Sequence, residues 1–380
     1  MSEWKKDKLN TIAQEVRILI EPSGKEIVPY IGLEHISQGD LSLIGQGLSS
    51  DAASTKKVFK KGDILFGTLR PYFRKVVRPN FDGVCSTDIS VLKAKKGNSQ
   101  GFLFYLVASQ PFIDFASVIS NGTKMPRAKW NVLAKTEWHL PEPKEQHCIA
   151  SILSAYDDLI ENNNRRIALL ELMAEQFYKE WFVRMRFPGY ENTEFEKGVP
   201  KGWANIYFRD FIKLNRGFDL PEDKIIEGIY PIVASTSIKA YHNQYKVEAP
   251  CIVTGRSGSL GTVQYVNKKA WPLNTSLYVK DFKGNSPQFV FYFLKSIKLE
   301  NFNCGAGVPT LNQNHLHTLR LFCPSKEIQR KFDDLIIPIF NEVENLQLQT
   351  QTLKQTRDLL LPRLISGKLK VNELKEFELV

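Results

Sequence analysis

The sequence predicts an α+β protein in which two strand-rich mixed domains are separated by two long antiparallel helices that form a coiled-coil spacer. Three observations support this prediction. The chain of 380 residues repeats its own plan once, each copy opens with short runs of β-branched and aromatic residues, and each copy closes with a long heptad pattern. The copies are therefore expected to form a pseudo-twofold internal repeat.

The repeat is visible as an ordered series of matched motifs. The offset between partners falls from 199 to 188 to 183 residues along the chain, as small differences in loop length would produce. The partners are Trp4 with Trp203, Gly62–Gly67 with Pro250–Gly255, Ser86 with Asn274, Pro126 with Pro309, and Gln146 with Gln329. Taken as a series, these matches indicate a duplicated unit.

The first part of each copy is rich in Val, Ile, Phe and Tyr, in short runs broken by Gly, Pro, Asn and Asp, as is typical of strands joined by turns. The predicted strand regions are Asp63–Phe66, Val84–Ala94, Cys251–Thr254 and Thr262–Val266. Two helices are also expected inside these parts, at Gln100–Val107 and Pro287–Lys295. Each copy should therefore contain a mixed α+β domain.

Each copy ends in a helical stretch whose apolar residues recur in alternating steps of three and four. The predicted seam of the first stretch is Ile149, Ile152, Tyr156, Leu159, Leu170, Met173 and Phe177, with Asn163 and Arg166 at the intervening positions. The predicted seam of the second is Phe332, Ile336, Ile339, Val343, Leu346, Leu353, Leu360 and Leu364, with Thr350 and Arg357. Roughly 37 helical residues would span about 55 Å.

Two heptad helices in one chain most simply pair with each other, and antiparallel pairing would put the two domains at opposite ends. The alternative is that each helix packs only on its own domain. The length and regularity of the seams favour pairing. Pro338 predicts a kink or a delayed start in the second helix, and Gly367 is expected to end it.

Positive charge is concentrated in the two predicted domains. Segments 1–143 and 189–324, the domains, carry net charges of +6 and +5, whereas the helical segments 144–188 and 325–380 carry −1 and zero. Two basic domains on a neutral spacer are suited to a phosphate backbone contacted at two places.

Composition narrows the class of protein further. The five cysteines are far apart and form no C-x-x-C pair, which argues against a disulfide framework or a zinc site and favours the cytoplasm. The N-terminal segment is charged rather than a signal peptide, and no apolar run reaches the roughly 18 residues that span a bilayer. A cytoplasmic protein is expected.

Two matched pairs of polar segments are the candidate nucleic-acid contacts. Segment 67–75 mixes cations with aromatic residues and matches the glycine-rich segment 255–261, while segment 121–124 matches segment 310–313. Arginine can contact guanine through two hydrogen bonds, and hydroxyl and amide side chains reach bases or phosphates. The candidate residues are Thr68, Arg70, Tyr72, Arg74, Lys75, Lys124, Arg256, Ser257, Ser259, Lys268, Lys269, Thr310 and Asn312. The alternative interpretation is a set of ordinary solvated turns.

Sequence motifs for catalysis are missing. The chain has no G-x-x-x-x-G-K-[ST] loop for a nucleoside triphosphate, and no Asn/Asp-Pro-Pro-aromatic motif for methylating an exocyclic amine. Glu142-Pro143-Lys144 has the spacing of some nuclease sites, but a proline would interrupt a catalytic strand. His315 and His317 would share a face on a strand, yet a third metal ligand is lacking. No catalytic, cofactor-binding or metal-binding residue is therefore predicted.

Segments spread over the chain match the motifs of a known family. They are Gly62–Leu65, Arg70-Pro71, Leu140–Gln146 followed by Ile149 and Ile152-Leu153, Asp157–Asn163, Phe187–Gly189, Gly198–Trp203 and Leu360–Leu369. Together they resemble the specificity subunits of type I restriction–modification enzymes, over nearly the whole chain. The second copy departs from the family pattern at Pro250-Cys251, and at Ile328, where the family has Glu before Gln. These departures leave the exact domain edges open.

The resemblance implies a function. In such enzymes two target-recognition domains each read one half of a split DNA target, and the spacer helices fix the gap between them. Two methylation subunits that use S-adenosylmethionine dock on the helices and modify adenine. A translocase–nuclease subunit that uses ATP and magnesium cuts unmodified DNA. This chain would then be non-catalytic and would hold no cofactor itself.

Two other functions remain open from the residues alone. One is a nuclease that uses Glu142 or the histidine pair. The other is a scaffold outside any restriction system, whose helices assemble partners and whose basic domains bind RNA or acidic proteins.

Overall fold

The computed structural model describes residues 4–21, 27–51, 54–120, 125–305 and 307–372. Contacts divide the chain into two compact units, residues 1–164 with 347–380, and residues 165–346. Each unit therefore combines one strand-rich domain with part of both long helices. The predicted α+β fold with an internal repeat is confirmed, whereas the division at residues 143, 188 and 324 stays a prediction.

The first unit alternates short strands with short helices. Its helices are Leu9–Ile12, Gln100–Ala108, Gln110–Val118 and Trp130–Leu133, with 3-10 turns at Leu33–His35, Ser49–Asp51 and Pro71–Phe73. Its strands are Lys5–Lys8, Ala13–Val16, Leu19–Ile20, Pro29–Ile31, Gly47–Leu48, Lys56–Phe59, Ile64–Gly67, Val76–Val77, Gly83–Cys85, Ile89–Ala94 and Glu137–Leu140.

The second unit also alternates short strands with short helices. Its helices are Phe208–Phe211, Pro287–Ser296 and Gln313–His317, with 3-10 turns at Tyr190–Asn192, Glu222–Lys224 and Leu299–Phe302. Its strands are Phe195–Glu196, Val199–Pro200, Ala204–Tyr207, Lys213–Arg216, Tyr230–Val233, Ile238–His242, Cys251–Gly255, Val263–Val266, Trp271–Pro272, Ser276–Asp281 and Arg320–Cys323. Both helices predicted inside the domains are confirmed within one residue.

A four-stranded antiparallel sheet occurs in both units with the same strand order. In the first unit the order is Ala13–Val16, Ile89–Ala94, Ile64–Gly67, Val76–Val77, and in the second it is Lys213–Arg216, Ser276–Asp281, Cys251–Gly255, Val263–Val266. A further sheet differs, with five strands in the first unit and three in the second. The repeat therefore holds for one sheet and diverges in the other.

The apolar run Ile64-Leu65-Phe66 is explained by burial of the four-stranded sheet on both faces. Ile64 and Phe66 pack in one core with the long-helix residue Ile149, while Leu65 packs in a separate core with Phe59 of the five-stranded sheet. Successive strand side chains point to opposite faces, so both sets must be apolar.

The predicted strand region Val84–Ala94 was wrong as a single run. It forms two strands that belong to different sheets, Gly83–Cys85 in the five-stranded sheet and Ile89–Ala94 in the four-stranded one. A turn at Ser86, whose carbonyl accepts a hydrogen bond from Ile89 N, separates them. The polar residues Ser86-Thr87-Asp88 between two buried strands mark the break in the sequence.

Both predicted long helices are present, at Pro143–Tyr178 and Lys326–Ile365, and a single π-helical turn, Lys179–Val183, continues the first. We call them the first and second long helix. Among the described residues no single helix is long and apolar enough to cross a membrane; only the pair Gln100–Ala108 and Gln110–Val118, bent by 61°, passes that test together.

All ten predicted seam residues of the second long helix are buried or partly buried. Thr350 and Arg357, the two polar members, are 7% and 1% exposed. Pro338 lies within the helix, so the predicted delayed start was wrong. Gly367 has a positive φ of 67° and follows the last helical residue, as expected for a helix stop.

The seam of the first long helix is shifted by one residue at alternate positions. Leu159, Arg166 and Met173 are exposed, and their neighbours Ile160, Ile167 and Ala174 face inward instead. Apolar residues occupy both neighbouring positions at Leu159-Ile160 and at Met173-Ala174, so steps of three and of four fitted equally well. The remaining predicted seam residues, Ile149, Ile152, Tyr156, Asn163, Leu170 and Phe177, are buried or partly buried.

A buried glutamine joins each long helix to its domain. Gln146 is 1% exposed; its Oε1 accepts a hydrogen bond from Ser99 N at 3.0 Å, and its Nε2 donates to Pro141 O at 3.0 Å and to Asn98 Oδ1 at 3.1 Å. The same amide therefore holds the start of helix Gln100–Ala108 against the start of the first long helix.

The second unit repeats this arrangement atom for atom. Gln329 is 2% exposed; its Oε1 accepts from Ser286 N at 2.8 Å, and its Nε2 donates to Pro324 O and to Asn285 Oδ1, both at 3.1 Å. The missing Glu before this glutamine thus leaves the contact intact. We call these two sets of contacts the glutamine clamps.

Replacing either clamp glutamine by leucine should destabilise the fold. Gln146→Leu and Gln329→Leu each leave buried backbone donors and acceptors unpaired, and we expect each to lower the free energy of unfolding by about 3 kcal/mol. Urea unfolding followed by circular dichroism measures the loss. Gln349→Leu, at an exposed position of the second long helix, is the matched control and should change stability by less than about 0.5 kcal/mol.

Candidate nucleic-acid interface

One of the two polar segments predicted in the first domain, 67–75, contacts residues 126–128 in the structure. Leu69 and Arg127 form an isolated β-bridge, Arg70 N donates to Pro126 O at 2.9 Å, and Ala128 N donates to Thr68 O at 3.0 Å. These backbone contacts tie the loop after strand Ile64–Gly67 to residues 126–128. The other predicted segment, 121–124 with Lys124, lies outside the described residues.

The second unit brings its two segments together in the same way. Ser257 and Thr310 form the equivalent β-bridge, Gly258 N donates to Pro309 O at 2.9 Å, and Leu311 N donates to Arg256 O at 2.8 Å. Every pair is displaced from its counterpart by the repeat offsets of 188 and 183. We call each bridged pair of segments a paired loop, the first at 67–75 with 125–128 and the second at 255–261 with 308–313.

Arg70 and Tyr72 are the exposed predicted contacts of the first paired loop, Tyr72 with 54% of its surface accessible. Tyr72 lies in the 3-10 turn Pro71–Phe73, and Arg70 and Arg74 flank this turn at φ values of 49° and 48°. A positive φ is uncommon outside glycine and persists where the surrounding structure enforces it. The turn therefore holds Arg70 and Tyr72 in a fixed, outward-facing arrangement.

The other predicted contacts of this loop point into the fold. Arg74 Nε donates to Ala108 O at 2.7 Å, and its guanidinium is 3.9 Å from Asp358 Oδ1. Lys75 Nζ donates to Leu33 O, and the buried Thr68 hydroxyl donates to Asp88 O at 2.7 Å. Burial lowers the pKa of Arg74, with Asp358 opposing that shift. These three side chains support the loop instead of extending from it.

Arg127 is a cation of the first paired loop that the sequence interpretation missed. Its Nε donates to Asp88 Oδ1 at 2.9 Å, and the side chain remains 46% exposed. Arg127 directly follows Pro126, which the repeat pairs with Pro309. The repeat could therefore have identified Arg127 as a candidate contact.

The second paired loop presents smaller side chains. Ser259 and Asn312 are exposed, and Arg256, Ser257 and Thr310 are partly buried. The Arg256 guanidinium reaches Asn274 O at 3.5 Å, and Asn312 Oδ1 caps the following helix by accepting from Asn314 N at 2.9 Å. This loop therefore offers hydroxyl and amide groups more than cations.

Lys268 and Lys269 are each engaged by an acidic residue. Lys268 Nζ is 3.7 Å from Glu344 on the second long helix. Lys269 Nζ lies 3.1 Å from Glu248 and 4.4 Å from the ring centre of Tyr245. The hydrogen bonds that Lys269 Nζ donates to the Tyr245 hydroxyl and to Glu248 raise the pKa of Lys269. Their net contribution to a positive surface is smaller than the sequence suggested, because each charge has a nearby carboxylate.

The residues of the nuclease hypothesis do not form a metal site. Pro143 begins the first long helix, so Glu142 and Lys144 do not lie on a strand. His315 and His317 lie on helix Gln313–His317, where residues two apart point in different directions; the shared strand face was wrong. Over the part of the chain that the structure describes, no three His, Cys, Asp or Glu side chains cluster as metal ligands.

The first long helix also carries exposed apolar side chains. Within the second unit, Leu169, Leu172 and Met173 are 59%, 52% and 41% exposed. Their spacing of three and four places them on one side of the helix, away from the partly buried Leu170 and the buried Ala174. We call these three residues the outer stripe.

Comparison with known proteins identifies one family. The family model for the type I restriction modification DNA specificity domain matches residues 1–172 and again residues 200–355. The MjaIX specificity subunit of Methanocaldococcus jannaschii is 26% identical, over 90% of this chain and 84% of that protein. The HindI specificity subunit of Haemophilus influenzae is 22% identical, over 97% of this chain and all of that protein.

A solved structure shows the same fold. The type I restriction–modification S subunit from M. genitalium superposes with a TM-score of 0.60 at 17% sequence identity, covering 95% of this chain and 96% of that one. The match extends over both units.

The inward-facing and outward-facing arginines of the first paired loop should differ in their effect on stability. Arg74→Ala removes a charged hydrogen bond to Ala108 and should lower the free energy of unfolding by about 2 kcal/mol. Arg70→Ala is the matched control, because both residues have positive φ and similar backbone strain. Thermal unfolding of the two variants compares them, and equal losses would contradict the supporting role of Arg74.

Proposed function

Since the chain belongs to the type I restriction–modification DNA specificity family, we propose that it reads the two halves of a split DNA target through its two paired loops. It is a DNA-recognition subunit and has no catalytic role of its own. The single observation that carries the proposal is the repetition of one bridged loop pair at equivalent places in both units. Two copies of a reading surface are what two half-targets require.

The exposed side chains suit contact with DNA in different ways. Arg70 can donate two hydrogen bonds to guanine, and Tyr72 offers a ring that packs on a sugar or base. Ser259 and Asn312 of the second paired loop can exchange hydrogen bonds with base edges or phosphates. The unlike chemistry of the loops supports unlike half-targets. The domain charges of +6 and +5 supply the sequence-independent attraction to the phosphate backbone.

The long helices provide the distance between the half-targets. The first long helix has 36 residues and the second 40, which correspond to lengths of about 54 and 60 Å. One turn of DNA measures roughly 34 Å, so helices of this length suit two half-targets on one duplex.

The chemistry would be supplied by other subunits. We propose that methylation subunits with S-adenosylmethionine modify adenine within the target, and that a translocase–nuclease subunit with ATP and magnesium cuts unmodified DNA. This chain would bind neither cofactor. The proposed site of action is the cytoplasm, where the cysteines would stay reduced.

We further propose that a methylation subunit docks on the outer stripe of the first long helix. The stripe is apolar and exposed, and a helix already packed on its seam side can offer a second face to a partner. Leu169, Leu172 and Met173 could seat in an apolar groove of that subunit. A second stripe at the repeat-related place is not required by this proposal.

Mapping methylated adenines in a host with and without this gene tests the function. We expect a two-part motif that disappears with the gene. Arg70→Ala should relax one half of the motif, and Ser259→Ala the other, because loss of a base contact costs about 1–3 kcal/mol at that position only. Single-molecule sequencing reads both halves in one experiment.

Two controls make this test specific. Arg165→Ala replaces an exposed arginine of the first long helix outside both paired loops and should leave the motif unchanged. Binding of the purified complex to duplex DNA and to single-stranded RNA separates the proposal from an RNA scaffold. An unchanged methylation pattern after deletion of the gene, in a host where it is expressed, would contradict the proposal.

Charging the outer stripe should release the methylation subunit. Leu169→Glu with Leu172→Glu places two carboxylates in the proposed apolar contact, so copurification of the two proteins should fall by about tenfold or more. Ile229→Glu, at a position 75% exposed in the same unit but off the long helices, is the control. Undiminished copurification of the double variant would rule the stripe out as the docking surface.

A further inference from the structure

The two units bury different chemistry at equivalent positions of the helix seam. In the first unit the Arg357 side chain is 1% exposed, and its guanidinium donates to Asp157 Oδ1 at 2.6 Å and to Asp358 Oδ1 at 3.1 Å. Asp157 Oδ2 in turn accepts a hydrogen bond from the Tyr105 hydroxyl at 2.6 Å. Both oxygens of the Asp157 carboxylate are therefore occupied.

This network keeps a charge inside the fold. Burial alone would lower the pKa of Arg357, but Asp157 and Asp358 outweigh that effect and raise it. Burial, followed by the charge of Asp157, raises the pKa of Tyr105, so the phenol stays protonated as the donor. A buried guanidinium is tolerated when carboxylates accept its hydrogen bonds, and becomes strongly unfavourable when they are removed.

The second unit has no such network at the corresponding positions. The offset of 183 that relates the two glutamine clamps places Ala174 where the first unit has Arg357, and Phe340 where it has Asp157. Tyr292 corresponds to Tyr105 at the offset of 187 that relates Ser99 to Ser286 in the glutamine clamps, and its ring lies 6.0 Å from that of Phe340. Ala174 is fully buried in the same apolar core. A polar contact in one unit is thus an apolar contact in the other.

The two units also differ in side-chain size, one helical turn after Arg357 and Ala174. Three aliphatic residues of the first unit stand where the second unit has three aromatic ones, and all six are buried. The corresponding pairs are Leu361 with Tyr178, Leu364 with Trp181, and Ile365 with Phe182. Because protein interiors are close-packed, neither set fits the cavity that the other fills.

We propose that the two long helices form a heterotypic pair, in which each helix accepts the other and rejects a second copy of itself, with Arg357 as the principal selecting residue. If a second copy of the second long helix replaced the first, Arg357 would be buried beside Phe340 and would lose Asp157, keeping only the carboxylate of Asp358 on its own helix. If a second copy of the first long helix replaced the second long helix, Ala174 of that copy would stand in the place of Arg357. Asp157 would then lose its cation.

The interaction surface and its partner both belong to this chain. The surface is the seam, and the partner of each half of the chain is the other half, not the same half of another molecule. A single buried polar residue is known to set partner choice between helices because unlike pairings leave it unsatisfied. The inference stands whether or not the paired loops bind DNA.

The test uses the full chain, cut after it has folded. A protease site is inserted between Lys197 and Gly198, at the exposed tip of the hairpin formed by Phe195–Glu196 and Val199–Pro200. The cut protein is unfolded in urea, refolded, and weighed by native mass spectrometry. We expect the unlike pair to exceed each like pair by about tenfold or more. Like pairs in amounts comparable to the unlike pair would overturn the proposal.

A double variant isolates the part played by Arg357. Arg357→Met with Asp157→Leu removes both charges together, an exchange that buried ion pairs commonly tolerate. After cutting and refolding, like pairs of the fragment from residue 198 onward should increase by about tenfold over the wild type. Arg363→Met, on the exposed side of the same helix, is the control and should leave the distribution unchanged. An unaltered distribution in the double variant would overturn the role of Arg357.

Discussion

The glutamine clamps are the constraint on which the rest of the structure depends. Gln146 and Gln329 each bind three backbone or side-chain atoms at the junction of a domain helix, a strand end and a long helix. A side-chain amide has donors and acceptors on one rigid plane, so three partners fix its position and direction together. The domain is thereby oriented on its helix, and any surface that the domain presents is oriented with it.

The glutamine clamp is the same in both units, whereas the second sheet and the helix seam differ between them. The four-stranded sheet and its helix recur with the same order, whereas the second sheet has five strands in one unit and three in the other. The seam also changes, from a charged contact around Arg357 to an apolar one around Ala174. A duplicated chain can diverge in its seam only if each helix keeps a partner that fits, so the two halves have become complementary instead of interchangeable.

Much of the fold was predictable from the sequence, since the repeat offsets, the domain helices and the second seam depend on strong local patterns. The shift of the first seam was not, because Leu159 and Ile160 are equally apolar and only the partner helix decides between them. The candidate contacts were harder to predict. Arg74 and Arg70 carry the same charge four residues apart, yet one guanidinium is fixed by Ala108 and the other side chain is exposed. Burial of a cation depends on tertiary contacts that composition does not contain.

The 3-10 turn that contains Tyr72, flanked by two residues of positive φ, connects the glutamine clamps and the long helices to the proposed function. Arg74 is held by the Ala108 carbonyl and lies near Asp358, so the turn is supported by helix Gln100–Ala108, which the first glutamine clamp orients, and by the second long helix. Side chains at a braced turn lose less conformational entropy on binding than those on a mobile loop. The exposed side chains of a paired loop can then vary in chemistry without disturbing the fold beneath them. The second paired loop, for example, presents serine and asparagine. Variation of the reading surface on a constant support is what a duplicated recognition domain needs in order to read two unlike sequences.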